Sequence, residues 1–381
     1  MVIELRGVEF VNKGAELMLR AILSELKVRI PGVQFAMDVG SRTPREKLNE
    51  SGILQKTTIY KFGINLSPWL SVLPKTILRS YKLVAEKEID AILDASGFAF
   101  GDKWGSKKAG DRSANHIKDW KEAGKKVIFL PQAFGPFTDP LLINKMQTIL
   151  TYADLIFARD VKSLEYLKKL KAPQESINLA PDFTNLLSGK EVPNQQAFNS
   201  KIAIIPNQKM METEDELKNK QYPAYLKLLI TLLQEKGEEP FFLIHESRKD
   251  GQIADLVNDN LTKKIEVIKE ENPLKVKGII GSSKAVVTSR FHGLVSALSQ
   301  SIPSLSTGWS HKYRELLRDY DYEDALCEVS VDSEYLNSKI ETLLDDTIRR
   351  QGINRLKQNA NIQKERSKEM WDKVISHLLK K

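Results

Sequence analysis

The sequence predicts an α/β protein made of two Rossmann-like domains that face a common cleft. Short apolar runs alternate along the chain with segments of amphipathic helical spacing, which is typical of parallel sheets with crossover helices. The alternation stops at the polar segment Leu187–Ser200, which is interpreted as an interdomain linker, and then resumes. The length of 381 residues is too great for one small core and suits two domains of ordinary size.

The first half of the chain contains five predicted strands and one clearly amphipathic helix. The helix is predicted over Ala15–Lys27, where the leucines and isoleucine lie mostly on one side. The strands are predicted at short apolar runs, namely Val2–Leu5, Val33–Val39, Ala91–Leu93, Val127–Leu130 and Leu155–Ala158.

The second half repeats this pattern and ends in a long charged tail. Helices are predicted over Tyr222–Lys236 and from about Gly293 through Ser299. The predicted strands are Ile202–Ile205, Phe241–Ile244, Ala285–Thr288 and Ser304–Ser306. We therefore predict an N-terminal domain over residues 1–190, a C-terminal domain over 200–345, and a C-terminal helix over 346–381 that packs back on the N-terminal domain.

Composition excludes several classes of protein. Hydrophobic residues make up 41% and charged residues 28%, as in soluble globular proteins. The N-terminus lacks the pattern of a secretory signal and no apolar stretch is long enough to cross a bilayer, so a cytoplasmic protein is expected. The lone Cys327 excludes an intrachain disulfide, and no Cys/His spacing indicates a metal site. The formal charge of +8 fits anionic substrates, whereas no basic–aromatic run indicates nucleic-acid binding. The sequence does not define the oligomeric state.

The segment Lys61–Lys87 has two interpretations. Apolar residues such as Trp69 and Leu70 lie close to cations such as Lys75, which is the pattern of a peripheral contact with an anionic inner membrane face. Alternatively, the apolar residues complete the N-terminal core, which is the usual role of clustered apolar residues and the interpretation that we favour.

Two glycine-containing loops follow predicted strands of the first half. The turn Asn12-Lys13-Gly14-Ala15-Glu16 precedes a helix whose N-terminal amides could bind an anion, although the local pattern alone favours a plain left-handed turn. The loop Asp94–Asp102 contains Gly97 and fits either a flexible cleft loop or an ordinary turn.

Two further loops carry polar and aromatic side chains. In the rigid loop Pro131–Phe137, Gln132 could hydrogen-bond a sugar and Phe134 could stack on one; otherwise the loop is simply a stiff turn. In Arg159-Asp160, the arginine could clamp a carboxylate or phosphate, or the pair could cap the next helix.

The sharpest combination of functional groups is Thr288–Gly293. Arg290 and His292 can share one face if the backbone stays extended, and Gly293 would open a helix whose amides could bind phosphate. Lys312 follows the next short strand. A histidine that titrates near neutrality, together with separate cations, suits the binding and protonation of a small dianion. The remaining histidines lack such neighbours and are interpreted as structural: His116, His245 and His377.

These segments together resemble the polysaccharide pyruvyl transferase family up to about residue 345. The segments occur in the family's order. The turn Asn12–Glu16 comes first, followed by the motifs DAILDASGFAFGD, LPQAFGPF and ADLIFARDVKS, the segment Ala180-Pro181-Asp182 and the motif SRFHG. Pro303 and Lys312 follow. Two loops depart from the family pattern, since its Gly-Asp turn is here Gly14-Ala15-Glu16 and its double glycine is Gly97-Phe98.

The resemblance implies phosphoenolpyruvate as donor and co-substrate, with no cofactor and no metal. It implies a sugar diol of a polysaccharide or of its lipid-linked precursor as acceptor, and a GT-B-like fold. The N-terminal domain would bind the acceptor and the C-terminal domain the donor. The resemblance suggests His292, Arg159 and Lys312 as catalytic residues. Further residues are expected to bind substrate, namely Arg290, Gly293, Asn12, Gly14, Glu16, Gly97, Gln132, Phe134 and Asp182.

Two other functions fit the same fold. One is a glycosyltransferase that uses a nucleotide sugar, because fold alone does not determine function. The other is a noncatalytic sugar-binding relative, against which the complete set of arginine, histidine and lysine residues argues.

Overall fold

The computed structural model describes residues 1–57, 60–61, 64–65, 73–245 and 248–380. These residues divide into two compact units. The first unit comprises Met1–Val11, Met18–Phe183 and Lys368–Lys381. The second unit comprises Asn12–Leu17 and Thr184–Ser367. The start of the first helix therefore belongs to the second unit.

The first unit is built on a parallel sheet. Its strands are β1 (Val2–Arg6), β2 (Gln34–Met37), β3 (Ile53–Lys56), β6 (Leu83–Val84), β7 (Ala91–Asp94), β8 (Lys126–Gln132), β9 (Leu155–Ala158) and β10 (Ile177–Leu179). A separate antiparallel pair consists of β4 (Tyr60–Lys61) and β5 (Ile64–Asn65). The spatial order is β10-β9-β8-β7-β1-β2-β3-β6, and every neighbouring pair in it is parallel.

Helices connect these strands as parallel pairing requires. Aspartates cap two of them, since the Asp139 carboxylate accepts a hydrogen bond from the Leu141 amide and the Asp160 carboxylate one from the Ser163 amide. The helices are α1 (Lys13–Arg29), α2 (Arg45–Ser51), α3 (Lys75–Ser80), α4 (Gly105–Ala109), α5 (Ile117–Glu122), α6 (Pro140–Tyr152) and α7 (Val161–Lys168), with a π-helical turn over Gly110–Ala114.

The second unit contains a smaller parallel sheet. Its strands are β11 (Lys201–Ile205), β12 (Glu239–Ile244), β13 (Val267–Lys269), β14 (Ala285–Thr288) and β15 (Ser304–Ser306), in the spatial order β13-β12-β11-β14-β15. Its helices are α8 (Glu216–Glu235), α9 (Arg248–Asp259), α10 (Pro273–Ser282), α11 (Phe291–Leu298), α12 (His311–Asp319) and α13 (Ser333–Leu344), followed by α14 (Asp346–Leu379).

In both sheets the strand order reverses around the first strand of the unit. The reversal lies between β1 and β7 in the first unit and between β11 and β14 in the second. Connections on the two sides of such a point leave in opposite directions, which opens a crevice at the carboxyl ends of the strands where ligands usually bind. The topology thus marks one candidate binding edge in each unit.

The predicted strands are confirmed, with small differences at their ends. The strands β3, β4, β5, β6, β10 and β13 were not predicted, because each has only two to four residues and none is a clear apolar run. The polar segment Leu187–Ser200 is an ordered part of the second unit, where the Lys190 amide donates to the Leu274 carbonyl at 2.8 Å.

The charged tail folds as the single helix α14, as its pattern predicts. Its last residues belong to the first unit, where the fully buried Trp371 packs edge-on against Phe183 with ring centroids 5.7 Å apart. Lys126 Nζ donates to the Leu378 carbonyl at 2.9 Å.

The interpretation of Lys61–Lys87 as a membrane-contacting segment stays a prediction, because Trp69 and Leu70 lie outside the described residues. No helix in the described part of the chain combines the length and the apolar character that a membrane span requires.

Candidate active site

The carboxyl edge of the second sheet collects the polar residues of four strands. Asn207 lies just after β11, His245 directly after β12, Ser289 directly after β14 and Thr307 directly after β15. All four are buried. Because parallel strands end at the same edge, residues far apart in sequence meet here, next to the reversal between β11 and β14.

A network of neutral hydrogen bonds fixes the backbone at Ser289. Its carbonyl accepts from Asn207 Nδ2 at 2.7 Å and from the Tyr313 hydroxyl at 2.9 Å. Its own hydroxyl accepts from Tyr222 at 2.9 Å and lies 2.5 Å from Thr307 Oγ1. Burial raises the pKa of both tyrosines far above the ordinary value, so they remain neutral. The residue that follows, Arg290, is thereby held in a defined position.

Arg290 forms a buried ion pair with Asp250. Arg290 Nη2 lies 2.6 Å and 2.5 Å from the two carboxylate oxygens of Asp250, which is completely buried and also accepts from the Gln208 amide at 2.9 Å. Burial lowers the pKa of Arg290 to about 10, which leaves it charged at neutral pH, and the Asp250 carboxylate favours that charged form. The aspartate thus stabilises and orients the cation.

The expected extended arrangement of Arg290 and His292 is wrong. Arg290 is the N-cap residue of α11, so His292 and Gly293 lie inside the first helical turn. The helix begins early because Phe291, Leu294 and Val295 bury an apolar face. Gly293 does not open the helix; a side chain there would come within 2.7 Å of Thr288 Oγ1.

His292 packs against the start of α1. A Cβ atom placed on Gly14 would lie 2.3 Å from His292 Nδ1 and 2.9 Å from its Cγ, so only glycine leaves room for the ring. The Asn12 side chain caps this helix by accepting from the amides of Gly14 and Ala15 at 2.9 and 3.1 Å. The Asn12–Glu16 turn, predicted on the acceptor side, is therefore a direct neighbour of a histidine expected to act on the donor.

Lys13 and Glu16 complete this turn. Lys13 Nζ lies 3.8 Å from a carboxylate oxygen of the buried Glu16. Lys13 also lies close enough to His245 to affect its titration, together with Arg290 and His292. The start of α1 thus adds a cation to the carboxyl edge of the second sheet.

His245 is a component that the sequence analysis set aside. It is 2% exposed, and burial, reinforced by the cations Arg290 and Lys13 and by the neighbouring His292, lowers its pKa well below 6.5. It is therefore neutral at physiological pH. Its position directly after a predicted strand was a usable signal, but no recognised motif surrounds it in sequence.

Lys312 lies at the beginning of α12, among aromatic rings. Its Nζ lies 4.7 Å from the ring centroid of Trp309, 5.1 Å from that of Phe291 and 5.6 Å from that of Tyr313. Ring faces attract an ammonium group and limit its movement. Phe291 also contacts His292, the next residue of α11. The rings of Phe291 and His292 are edge-on, with their centroids 5.5 Å apart.

The first unit holds Arg159 at the carboxyl end of β9. Arg159 Nη1 lies 3.1 Å from Asp182 Oδ2, and both side chains are buried. Its neighbour Asp160 caps α7. The two residues therefore have separate roles: Asp160 caps the helix, whereas Arg159 pairs with Asp182 of the Ala180-Pro181-Asp182 segment.

The Pro131–Phe137 loop places its two candidate sugar-binding residues in the interior. Phe134 is fully buried and stacks on Phe100 with ring centroids 5.9 Å apart. The expected stacking of Phe134 on a sugar is therefore wrong, and the residue belongs to the hydrophobic core. Gln132 is also buried, and its Nε2 donates to Asp94 Oδ1 at 3.2 Å. Gly97 adopts a left-handed conformation (φ 69°), so the loop after β7 requires glycine at this position.

Comparison with known families identifies the chain. The sequence profile of the family described as "Polysaccharide pyruvyl transferase" matches residues 12–311. The chain belongs to the polysaccharide pyruvyl transferase family. The matched region begins at Asn12 and ends at His311, so it includes every candidate residue of this transferase except Lys312. No curated protein matches the sequence.

Solved structures confirm the GT-B-like fold with two Rossmann-like domains. The pyruvyl transferase chain is similar to a putative UDP-N-acetylglucosamine 2-epimerase from Listeria monocytogenes (TM-score 0.63, 11% identity, 99% of this chain and 96% of that chain covered). It is similar to Anabaena HepE in complex with UDP-glucose (TM-score 0.59, 11% identity, 99% and 100% covered). It is also similar to a glycosyltransferase from Rickettsia africae (TM-score 0.59, 12% identity, 98% of each chain covered). At these identities the likeness concerns the fold alone.

Proposed function

We propose that this pyruvyl transferase moves the enolpyruvyl unit of phosphoenolpyruvate to a sugar diol of a polysaccharide or its lipid-linked precursor, forming a pyruvate ketal and releasing phosphate. The observation that carries the proposal is the group of Lys13, Arg290 and His292 around the start of α1 and α11. It combines cations for an anionic donor with a group that can transfer a proton.

The reaction needs one proton delivered to carbon and two carbon–oxygen bonds formed. A proton added to the methylene carbon of phosphoenolpyruvate produces a methyl group and an oxocarbenium-like centre at C2. One sugar hydroxyl attacks C2 and loses its proton. The bond from C2 to the phosphate oxygen breaks, the second hydroxyl attacks and loses its proton, and the products are a cyclic ketal and inorganic phosphate.

We assign the proton transfer to His292. Its ring is confined by Gly14, and it lies in the first turn of α11, where backbone amides favour bound anions. Arg290, oriented by Asp250, and Lys312, held among aromatic rings, would neutralise the carboxylate and phosphate of the donor. Arg159 of the first unit, paired with Asp182, is likewise assigned to the binding of a substrate anion.

The test measures acceptor-dependent phosphate release from phosphoenolpyruvate, with the ketal methyl group detected by NMR. We expect His292→Ala to reduce turnover by ~10²–10⁴-fold, the usual contribution of general acid–base catalysis, with the melting temperature retained. His116→Ala, at an exposed position in the first unit, is the matched control. Near-normal turnover by His292→Ala would remove His292 from the proton transfer.

Donor identity is tested separately by thermal shift. Phosphoenolpyruvate is expected to raise the melting temperature, because a ligand that binds only the folded state stabilises it. A shift with UDP-glucose and none with phosphoenolpyruvate would favour a nucleotide-sugar glycosyltransferase. Tight saccharide binding with inertness toward all donors would favour a noncatalytic sugar-binding protein.

A further inference from the structure

The first unit contains a second cluster of buried polar groups, at the reversal between β1 and β7. Asp94 is the last residue of β7 and Gln132 the last residue of the neighbouring strand β8. Asp94 is 1% exposed and Gln132 is fully buried. They are joined by the hydrogen bond from Gln132 Nε2 to Asp94 Oδ1, and the Ser96 amide donates to the same carboxylate oxygen at 3.0 Å.

Each of these residues carries one oxygen that lacks a donor. Within the described part of the chain, Asp94 Oδ2, Gln132 Oε1 and Ser96 Oγ are buried atoms without a hydrogen-bond partner. Buried acceptors of this kind are uncommon, because burial removes their hydrogen bonds to water and leaves nothing in exchange. Asp94 Oδ2 and Gln132 Oε1 belong to side chains that are hydrogen-bonded to each other, so they form a paired acceptor site.

The chemistry of the cluster selects its ligand. A carboxylate oxygen and an amide oxygen both require donors, and hydroxyl groups supply donors without adding charge. A metal ion is disfavoured by Arg6, which lies beside Asp94 across the β1–β7 pair. The Arg6 guanidinium donates elsewhere, to Glu4 Oε1 at 2.7 Å and to the Arg112 carbonyl at 3.0 Å, so it does not satisfy the free oxygens of Asp94 and Gln132.

Ser96 borders the cluster on the side of β1. Gly7, the residue after β1, packs against Ser96 so closely that a Cβ atom on Gly7 would lie 2.5 Å from it. Ser96 is partly buried as a residue, and its hydroxyl oxygen is buried together with those of Asp94 and Gln132. This is the crevice in which an open parallel sheet usually binds its ligand.

We propose that Asp94 and Gln132 form the hydroxyl-binding site for the diol of the saccharide acceptor. This inference rests on the proposed function, since it adds the acceptor site to that reaction. Asp94 Oδ2 accepts one hydroxyl and Gln132 Oε1 the other, with Ser96 Oγ beside them. Two acceptor oxygens on hydrogen-bonded side chains match the two hydroxyls of a diol.

Asp94→Asn is the decisive variant. The asparagine oxygen can keep both hydrogen bonds that Asp94 Oδ1 accepts, from the Ser96 amide and Gln132 Nε2. The other position changes from an acceptor to an N–H donor, which opposes the hydroxyl. The matched control is Asp90→Asn, at the opposite end of the same strand, where Asp90 Oδ2 accepts from the Val2 amide at 2.7 Å.

The experiment measures saturation-transfer NMR of the full chain with the methyl glycosides of glucose, galactose and mannose, and calorimetric binding of phosphoenolpyruvate. We expect Asp94→Asn to weaken glycoside binding by about 10-fold or more, the effect of losing a hydrogen bond to a charged group. Phosphoenolpyruvate affinity and melting temperature should match those of Asp90→Asn. If Asp94→Asn does not fold, Ser96→Ala, which keeps the Ser96 amide bond, should still weaken glycoside binding several-fold.

Two results would overturn the inference. These are unchanged glycoside binding by Asp94→Asn, or glycoside binding that is undetectable in the wild type. A wild type that binds glycosides but releases no phosphate from phosphoenolpyruvate contradicts the proposed reaction alone and leaves the hydroxyl site supported.

Discussion

Replacing Gly14 with alanine tests whether the start of α1 sets the position of His292. The added Cβ atom would lie 2.3 Å from Nδ1 of the imidazole and 3.1 Å from its Cε1, whereas ordinary contacts begin near 3.4 Å. The ring or the helix end must therefore move by about 1 Å, a displacement large enough to reduce catalysis by ~10²-fold when it affects a reacting group. This corresponds to about 3 kcal/mol of transition-state stabilisation.

The same overlap is expected to lower stability only moderately. Overpacking at a buried site typically costs ~1–3 kcal/mol, partly offset by the better helix propensity of alanine. The assay compares kcat for phosphate release, the phosphoenolpyruvate affinity and the melting temperature of Gly14→Ala with those of Gly251→Ala. Gly251 is also helical, but its nearest neighbour would be Lys269 Cε at 3.9 Å, so that variant should retain full activity. A folded Gly14→Ala protein with kcat within two-fold of wild type would refute the reasoning.

Three further predictions follow from particular contacts. Lys312→Ala should weaken phosphoenolpyruvate binding while Lys312→Arg retains part of it, because Arg also places a cation over Trp309; equal affinities by calorimetry would exclude Lys312 from the donor site. Trp371→Ala should destabilise the first unit by ~3–5 kcal/mol, measured by urea unfolding, because a fully buried ring packed on Phe183 is lost. Because burial lowers the pKa of His245, the unfolded chain binds a proton at a pH where the folded protein does not, and stability falls as the pH drops below about 6.5. His245→Asn should remove up to about 1.4 kcal/mol per pH unit of that dependence between pH 6.5 and 5.5, and an unchanged slope would contradict it.

The strands that the sequence predicts correctly are short apolar runs that end in polar or glycine residues. This pattern is local, and parallel pairing then brings the strand ends to one edge without further information. Arg290 and His292 could therefore be identified as candidate site residues, because both lie shortly after the end of β14. Their relative orientation could not, because it depends on where α11 begins, and that is decided by apolar packing around Phe291.

Contacts between distant segments account for what the sequence did not reveal. Asp250 lies 40 residues from Arg290, and nothing in its own helical pattern marks it as the partner of that cation. Phe134 has the same local sequence whether it faces a sugar or the core, and only the position of Phe100 decides between them. The sequence indicated Gly97 and not Asp94 as a binding residue of this loop. Whether a carboxylate at a strand end lacks a hydrogen-bond donor becomes visible only when its three-dimensional neighbours are known.

The two units use the same topological position for opposite chemistry. At the reversal of the second sheet, the side chains are cations and hydrogen-bond donors, represented by Lys13 and Arg290. At the reversal of the first sheet, the unsatisfied atoms are the acceptor oxygens of Asp94 and Gln132. A cationic edge can neutralise an anionic donor but cannot accept the hydroxyl protons of a sugar, and an acceptor edge would repel a phosphate. A reaction between a multiply charged enol phosphate and a neutral diol requires both kinds of edge, so this difference is what the proposed transfer demands of a chain built from two similar sheets.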